Sequence, residues 1–75
     1  MRVEFDFSAL RGRIIEKYGT LAAFAKAINM GRASISQKLG NVAAFKPDEI
    51  LLICSPAILD IGPDEIGRFF YTPKV

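Results

Sequence analysis

Residues 20–39, TLAAFAKAINMGRASISQKL, contain the pattern that decides the fold. Thr20 is a residue type that caps helix N-termini, and the apolar side chains behind it recur at helical spacing. The pattern breaks at Asn-Met-Gly, residues 29–31, because Asn and Gly tolerate irregular backbone. A second helical pattern starts at once. The sequence therefore predicts two short helices joined by a tight turn, at 21–28 and 32–39.

The second of these helices has one narrow apolar stripe. Ile35 and Leu39, four residues apart, are its only large apolar side chains. At 100° per residue, Ala33 and Gln37 point most directly away from that stripe. Arginine suits guanine edges, glutamine suits adenine, and alanine can touch a thymine methyl, so this side could read bases in a major groove. It could equally be an ordinary solvated helix face. The candidate base-reading residues are Arg32, Ala33, Ser36 and Gln37.

Three further helices are predicted from apolar spacing and from start and stop residues. Ser8 is the expected N-cap of the first helix, and Gly19 ends it. A continuous fourth helix through Pro56 would cost ~3 kcal/mol, so we expect a stop or a bend there. The three helices are predicted at about 8–18, 47–55 and 63–71. The apolar positions expected to face the core of the first and fourth helices are Leu10, Ile14, Ile15, Tyr18, Ile50, Leu51, and Ile53 or Cys54.

The first seven residues, MRVEFDF, alternate apolar and charged side chains. A period of two is typical of a short, half-buried strand, although an extended arm would also fit. With this segment placed ahead of five helices, the predicted fold is all-α, and residues 1–75 are expected to form a single domain. At this length only ~60% of the unfolded surface can be buried, so the core must be small.

Composition excludes several classes of function. The chain has one cysteine and no histidine, so the usual ligands of zinc and the usual general base near neutral pH are missing. No apolar run approaches the ~20 residues that cross a bilayer, and no signal segment is recognisable. We therefore expect a cytoplasmic protein without metal, cofactor or membrane contact, and not an enzyme. Cys54 is expected to be a small buried apolar residue.

Two pairs of carboxylates follow prolines, and they could be read as catalytic pairs. Acidic residues in the first turn of a helix are stabilised by the macrodipole, and proline favours that same turn. Helix starts are therefore the simpler interpretation. The pairs are Asp48 with Glu49 and Asp64 with Glu65.

Charge is unevenly distributed along the chain. Residues 1–46 hold eight basic and three acidic side chains, a balance of +5, and residues 47–75 hold two basic and five acidic ones, a balance of −3. A nucleic-acid-binding surface would therefore lie in the first part. There, Lys38 lies beside the apolar stripe and suits a phosphate, as do the backbone N–H groups near Thr20.

The stretch at 20–39 resembles the helix-turn-helix of the lambda-repressor-like superfamily. That resemblance extends over a five-helix plan from Ser8 to Phe70 and implies that the helix at 32–39 enters the major groove. Four stretches are in addition similar to a family of small phage proteins of Gram-positive hosts. They are LRGRIIEKYG, FAKAI, FKPDEI and FFYT. The resemblance implies base contacts at Leu21, Arg32, Ala33, Ser36 and Gln37, and phosphate contacts at Thr20, Lys38 and Asn41. The chain departs from the pattern at Leu21, where many relatives have glutamine, and at Gly31, where a serine or threonine often caps the helix.

Two functions follow from this pattern. The first is a Cro-like repressor that binds a double-stranded DNA operator in the host nucleoid. It is expected to bind as a homodimer, because the single small recognition helix of one monomer offers too little surface for tight specific binding. The second is a modulator that docks on a partner phage repressor and binds little DNA. Three adjacent aromatic residues near the C-terminus cannot all face one way on a helix, so at least one should stay exposed. They are predicted to make a dimer or partner contact in addition to packing on the first helix. They are Phe69, Phe70 and Tyr71.

Overall fold

A computed structural model describes residues 4–74, and within them the chain forms five α-helices. A single 3-10 turn, Pro63–Glu65, leads into the last of them. The fold is all-α, as predicted. The helices are α1 at Ser8–Tyr18, α2 at Leu21–Ala27, α3 at Arg32–Leu39, α4 at Pro47–Cys54 and α5 at Ile66–Phe70.

One hydrophobic core joins all five helices. Helix α1 packs against α2 and α5, and α2 packs against α3. Two of the predicted inward positions are wrong, because Ile15 on α1 is 52% exposed and Leu51 on α4 is 68% exposed. Cys54 is buried, as predicted, and burial raises the pKa of its thiol. The buried apolar side chains are Phe7, Leu10, Ile14, Phe24, Ala25, Ile28, Ile35, Leu39, Ile50, Ile53, Cys54, Leu59, Ile61, Phe69 and Phe70.

Helix α2 has the predicted cap. The Thr20 hydroxyl accepts a hydrogen bond from the Ala23 backbone N–H at 3.1 Å. The helix then ends in a Schellman motif, in which Met30 N–H bonds to the Ala25 carbonyl at 2.9 Å and Asn29 takes a left-handed φ of 56°. Asparagine tolerates this conformation better than other residues with a Cβ, and so the chain turns directly into α3.

The predicted cap of α1 is wrong. Ser8 is the first helical residue, and the N-cap is Phe7, whose side chain cannot cap. The Asp6 carboxylate, one residue before it, accepts hydrogen bonds from the Ser8 backbone N–H at 2.9 Å and from its hydroxyl at 2.5 Å. These bonds hold the pKa of Asp6 below its ordinary value. Gly19 ends the helix at a φ of 79°, where a side chain would be strained.

Pro56 ends α4, as predicted. The last helical residue is Cys54, and Ser55 is already extended, with a ψ of 152°. The residue before a proline avoids the helical region, which places the break at Ser55 rather than at Pro56 itself. The chain then makes a turn over residues 55–60. A hydrogen bond from α1 stabilises this turn, because the Arg13 guanidinium donates to the Leu59 carbonyl at 3.1 Å.

The two ends of the chain pair with each other. Phe5 and Pro73 form an isolated antiparallel bridge, in which Asp6 N–H bonds to the Thr72 carbonyl at 2.7 Å. Within residues 4–74 this bridge is the only strand-like pairing. The predicted strand or arm is thus reduced to one bridge, and residues 1–3 of that prediction lie outside the described part.

Asn41 fixes this terminal bridge to the end of α3. Its side-chain oxygen accepts from Phe5 N–H at 2.9 Å, and its amide donates to the Phe5 carbonyl at 2.9 Å. Asn41 has a left-handed φ of 64° and ends α3 in a second Schellman motif, because Val42 N–H bonds to the Gln37 carbonyl at 2.8 Å.

Candidate functional site

Helix α3 presents a polar surface to solvent, and we call it the α3 surface. Ile35 is fully buried and Leu39 is 4% exposed, so the predicted stripe holds the helix against the core. The predicted orientation of the helix is thereby confirmed. The members of the α3 surface are all exposed: Arg32, Ala33, Ser36 and Gln37. Leu21, which the resemblance adds to them, is only partly exposed and packs against the core.

Two of the three residues expected to contact phosphate, Lys38 and Asn41, use their polar groups within the chain, while the Thr20 hydroxyl accepts a hydrogen bond there and keeps its own hydrogen as a donor. The Thr20 hydroxyl caps α2, and both polar atoms of the Asn41 amide bind the terminal bridge. Lys38 is 8% exposed, and its ammonium pairs with the Glu49 carboxylate on α4. Lys38 is therefore buried, in contrast to the expected solvent-facing position beside the stripe. The α3 surface retains Arg32 as its one cation.

Glu49 connects α3 to the N-terminus of α4. It accepts from the Lys38 ammonium on α3, and its Oε1 also accepts the Lys46 backbone N–H at 2.9 Å, which caps α4. The hydrogen bond from Lys38, followed by that from Lys46 N–H, holds the pKa of Glu49 below its ordinary value of 4.5. Glu49 and Asp48 lie in the first turn of α4, so the interpretation of this pair as a helix start is confirmed. The other pair, Asp64 and Glu65, lies in the 3-10 turn.

We expect stability to fall when Glu49 is protonated. Because its pKa is lower in the folded chain than in the unfolded one, its contribution is complete above pH 4.5 and is lost as the pH falls below that value. Urea unfolding between about pH 7 and pH 3 measures this loss. In Glu49→Gln the free energy of unfolding is expected to fall less between these pH values than in the wild type. Glu16→Gln changes an exposed residue of α1 and should show the same fall as the wild type. Equal declines in both variants would contradict this assignment.

The three C-terminal aromatic residues divide into two groups. Phe69 and Phe70 are each 2% exposed, so they belong to the core and are not available as surface contacts. Arg13 and Arg68 flank the Phe69 ring, each at 5.3 Å from its centroid. Tyr71 is 53% exposed and remains the one candidate for an external contact. Its position just after α5 explains this difference, because the helix ends at Phe70.

An apolar groove opens beside Tyr71, between the terminal bridge and the loop that joins α3 to α4. Its volume is about 320 Å³. Val42 at its rim is 70% exposed, and Ala43 and Ala44 are also exposed. The apolar groove is lined by Phe5, Phe7, Asn41, Val42, Ala43, Ala44, Phe45, Ile50, Phe70 and Tyr71.

A polar cleft lies next to the apolar groove. The two depressions are separate but share Phe5, Phe7 and Asn41 in their walls. Arg11 and Lys74 contribute its positive charges, and Asp6 and Ser8 complete its polar wall. Lys74 forms a loose ion pair with Glu4 at 3.9 Å, with both side chains at least half exposed.

Sequence reasoning missed the apolar groove, although one signal for it was present. The loop after Gly40-Asn41 reads Val-Ala-Ala-Phe, and loops between surface helices are ordinarily polar. An apolar loop that is not buried indicates either a contact with another molecule or a wall of a depression. Here Phe45 packs inward, while residues 42–44 stay exposed.

The described residues show no grouping typical of metal binding and no spanning helix. Residues 4–74 contain no cluster of three or more His, Cys, Asp or Glu side chains that could hold an ion. No helix in that range has the length and apolar character needed to cross a membrane.

Comparisons with known proteins identify a family and one informative structure. No curated protein matches the chain. It is similar to the solution structure of the modulator of repression (MOR) of the temperate bacteriophage TP901-1 from Lactococcus lactis, with 36% identity and a TM-score of 0.77. The similarity covers 89% of this chain and 88% of the other. The family model described as "Protein of unknown function (DUF739)" matches residues 3–73. The chain therefore belongs to this DUF739 family.

Proposed function

We propose that this protein is a modulator that binds a phage repressor protein and thereby alters repression. The observation that carries the proposal is the similarity to the TP901-1 modulator of repression over nearly the whole of both chains. At 36% identity, the similarity includes sequence as well as fold. The proposed partner is a repressor from the same phage, the proposed location is the host cytoplasm, and the proposal involves no catalytic step.

The charges of the structure support this function over direct DNA binding. Specific DNA binding uses many contacts to phosphate, and these come from free cations, hydroxyls and amides. In this chain two of the three expected phosphate contacts are engaged inside the fold, because the Asn41 amide binds the terminal bridge and Glu49 neutralises Lys38. The exposed apolar loop at 42–44 and Tyr71 offer the contact chemistry that protein interfaces use instead.

Operator binding as a homodimer is the second candidate. It is favoured by the α3 surface, which combines an arginine, a glutamine, a serine and an alanine on one exposed side of a short helix. If this surface reads bases, Arg32→Ala and Gln37→Ala should each lose ~1–3 kcal/mol on the preferred duplex while leaving nonspecific affinity nearly unchanged.

One pair of titrations tests the two functions against each other. The chain is titrated with the repressor encoded in the same phage genome by calorimetry, and with duplex DNA carrying that phage's operators at about 50 mM and about 200 mM salt. We expect a complex with the repressor, and duplex binding that is weak at both salt concentrations. Operator binding that falls steeply with salt, without a repressor complex, would contradict the modulator function and support the second candidate.

A further inference from the structure

The apolar groove is preformed, because its walls are fixed by aromatic contacts. Phe45 lies edge-on against Phe7 and Phe70, with centroid distances of 5.4 Å and 5.3 Å. On the opposite wall, Phe5 and Tyr71 meet edge-on at 5.8 Å. Such pairs add ~0.5–1.5 kcal/mol each beyond the burial of their area. A ligand therefore finds the groove open and does not have to order it first.

The loop that forms the rim is held at its start. Val42 N–H and Ala43 N–H both bond to the Gln37 carbonyl at the end of α3, at 2.8 Å and 3.4 Å. The loop thus holds exposed apolar side chains on an anchored backbone. Exposed apolar clusters of this kind mark interaction sites on soluble proteins.

The groove alone is too small for a whole protein–protein interface, and its size suits a short segment of a partner. A stable interface buries about 800 Å² on each partner, which is roughly a sixth of the 4867 Å² surface of the described chain. A groove of 320 Å³ lies at the lower end of the ~300–1,000 Å³ range of ligand sites, and holds a few side chains. A peptide segment that inserts two large apolar side chains fits a groove of this volume.

The adjacent cleft offers one cation, Arg11, to an acidic group. Arg11 is exposed and forms no ion pair with any residue in the 4–74 range. Lys74 already pairs loosely with Glu4 at 3.9 Å, and the hydrogen bonds from Ser8 leave the negative charge of Asp6 in the same wall. Arg11 is therefore the cation of the cleft that can take up a carboxylate next to the apolar side chains.

We propose that the apolar groove and the polar cleft together bind one short segment of the partner repressor, which inserts two large apolar side chains into the groove and places a carboxylate on Arg11. This inference rests on the proposed function and assigns it a surface. It assigns the contact to the face formed by the terminal bridge and the loop at 42–44, rather than to the α3 surface.

Calorimetric titration of the full chain with the repressor encoded in the same phage genome tests the proposal through matched variants. Val42→Asp places a charge at the groove rim, and Ile15→Asp places the same charge at an exposed aliphatic residue outside the groove. Arg11→Glu reverses the cleft charge, and Lys17→Glu reverses another exposed cation of α1. We expect about a tenfold or greater loss of affinity for Val42→Asp. For Arg11→Glu we expect a loss of about threefold that shrinks as salt is added. Neither control should change affinity.

The outcomes separate this inference from the proposed function. If the wild-type chain forms no complex with the repressor, both fail. If it forms a complex that Val42→Asp and Arg11→Glu leave intact, the inference is wrong and the proposed function stands. Amide shift mapping on the wild-type chain covers the case in which a variant fails to fold. Shifts should concentrate at residues 42–45 and at Tyr71 when repressor is added, and shifts confined to the α3 surface would overturn the inference.

Discussion

Ile35→Ala is expected to lower the free energy of unfolding by about 2–5 kcal/mol. Ile35 is fully buried at the point where α3 meets the core, so truncation leaves a cavity that its neighbours cannot fill completely. Domains are stabilised by roughly 0.05–0.15 kcal/mol per residue, which makes this loss a large part of the total for a chain of 75 residues. Urea unfolding followed by circular dichroism measures it.

Two companion variants calibrate that result. Ile35→Val removes one methylene and should cost about 0.5–1.5 kcal/mol. Ile15→Ala changes an aliphatic residue that is half exposed on α1, and should stay within about 0.5 kcal/mol of wild type. A loss for Ile35→Ala no larger than that for Ile15→Ala would show that α3 is not held by this residue.

Lys38→Met is expected to lower the free energy of unfolding by about 2–3 kcal/mol. Removing one partner of a fully buried ion pair costs ~3–5 kcal/mol, because the other charge remains without compensation. Here the side chains of Lys38 and Glu49 are 10% and 18% exposed. Water can therefore solvate the remaining charge in part, which reduces the loss of stability. Lys17→Met, on the exposed side of α1, is the matched control and should have little effect.

A double-mutant cycle distinguishes the ion pair from simple packing. In Lys38→Met/Glu49→Gln the carboxylate that lost its ion-pair partner is replaced by a neutral amide, whose oxygen can still accept Lys46 N–H and cap α4. We expect the double variant to be more stable than Lys38→Met alone, with a coupling energy within ~0.5–3 kcal/mol. Losses that simply add would mean that the pair contributes no coupling.

The sequence predicted helices well because their signals are local. Thr20, Asn29 and Pro56 act on backbone groups a few residues away, and the structure confirms the ends that they indicate to within about one residue. The predicted helix at 63–71 is less regular, since it begins as a 3-10 turn and ends at Phe70. The N-cap prediction failed at Ser8, because the helix already begins there, Phe7 is the N-cap, and the Ser8 N–H bonds to the Asp6 carboxylate.

The candidate site was less accessible from sequence, because its decisive contacts are between distant residues. Lys38 and Glu49 are 11 residues apart, and Asn41 and Phe5 are 36 apart. Helical periodicity gives the direction of a side chain relative to its own helix, but it does not identify the neighbouring element. The sequence therefore predicted that Lys38, beside the apolar stripe, is exposed and available to a phosphate. In the structure Glu49 on α4 pairs with it.

The terminal bridge determines how another protein can attach to this face. A free strand edge normally invites a partner strand, through its row of unpaired N–H and C=O groups. Here the outward N–H and C=O of Phe5 are both taken by Asn41, and Pro73 has no N–H to offer. Strand addition along this bridge is therefore blocked, for a partner and for other copies of the chain alike. Recognition on this face must come from side chains, so it depends on the partner's sequence rather than on its backbone.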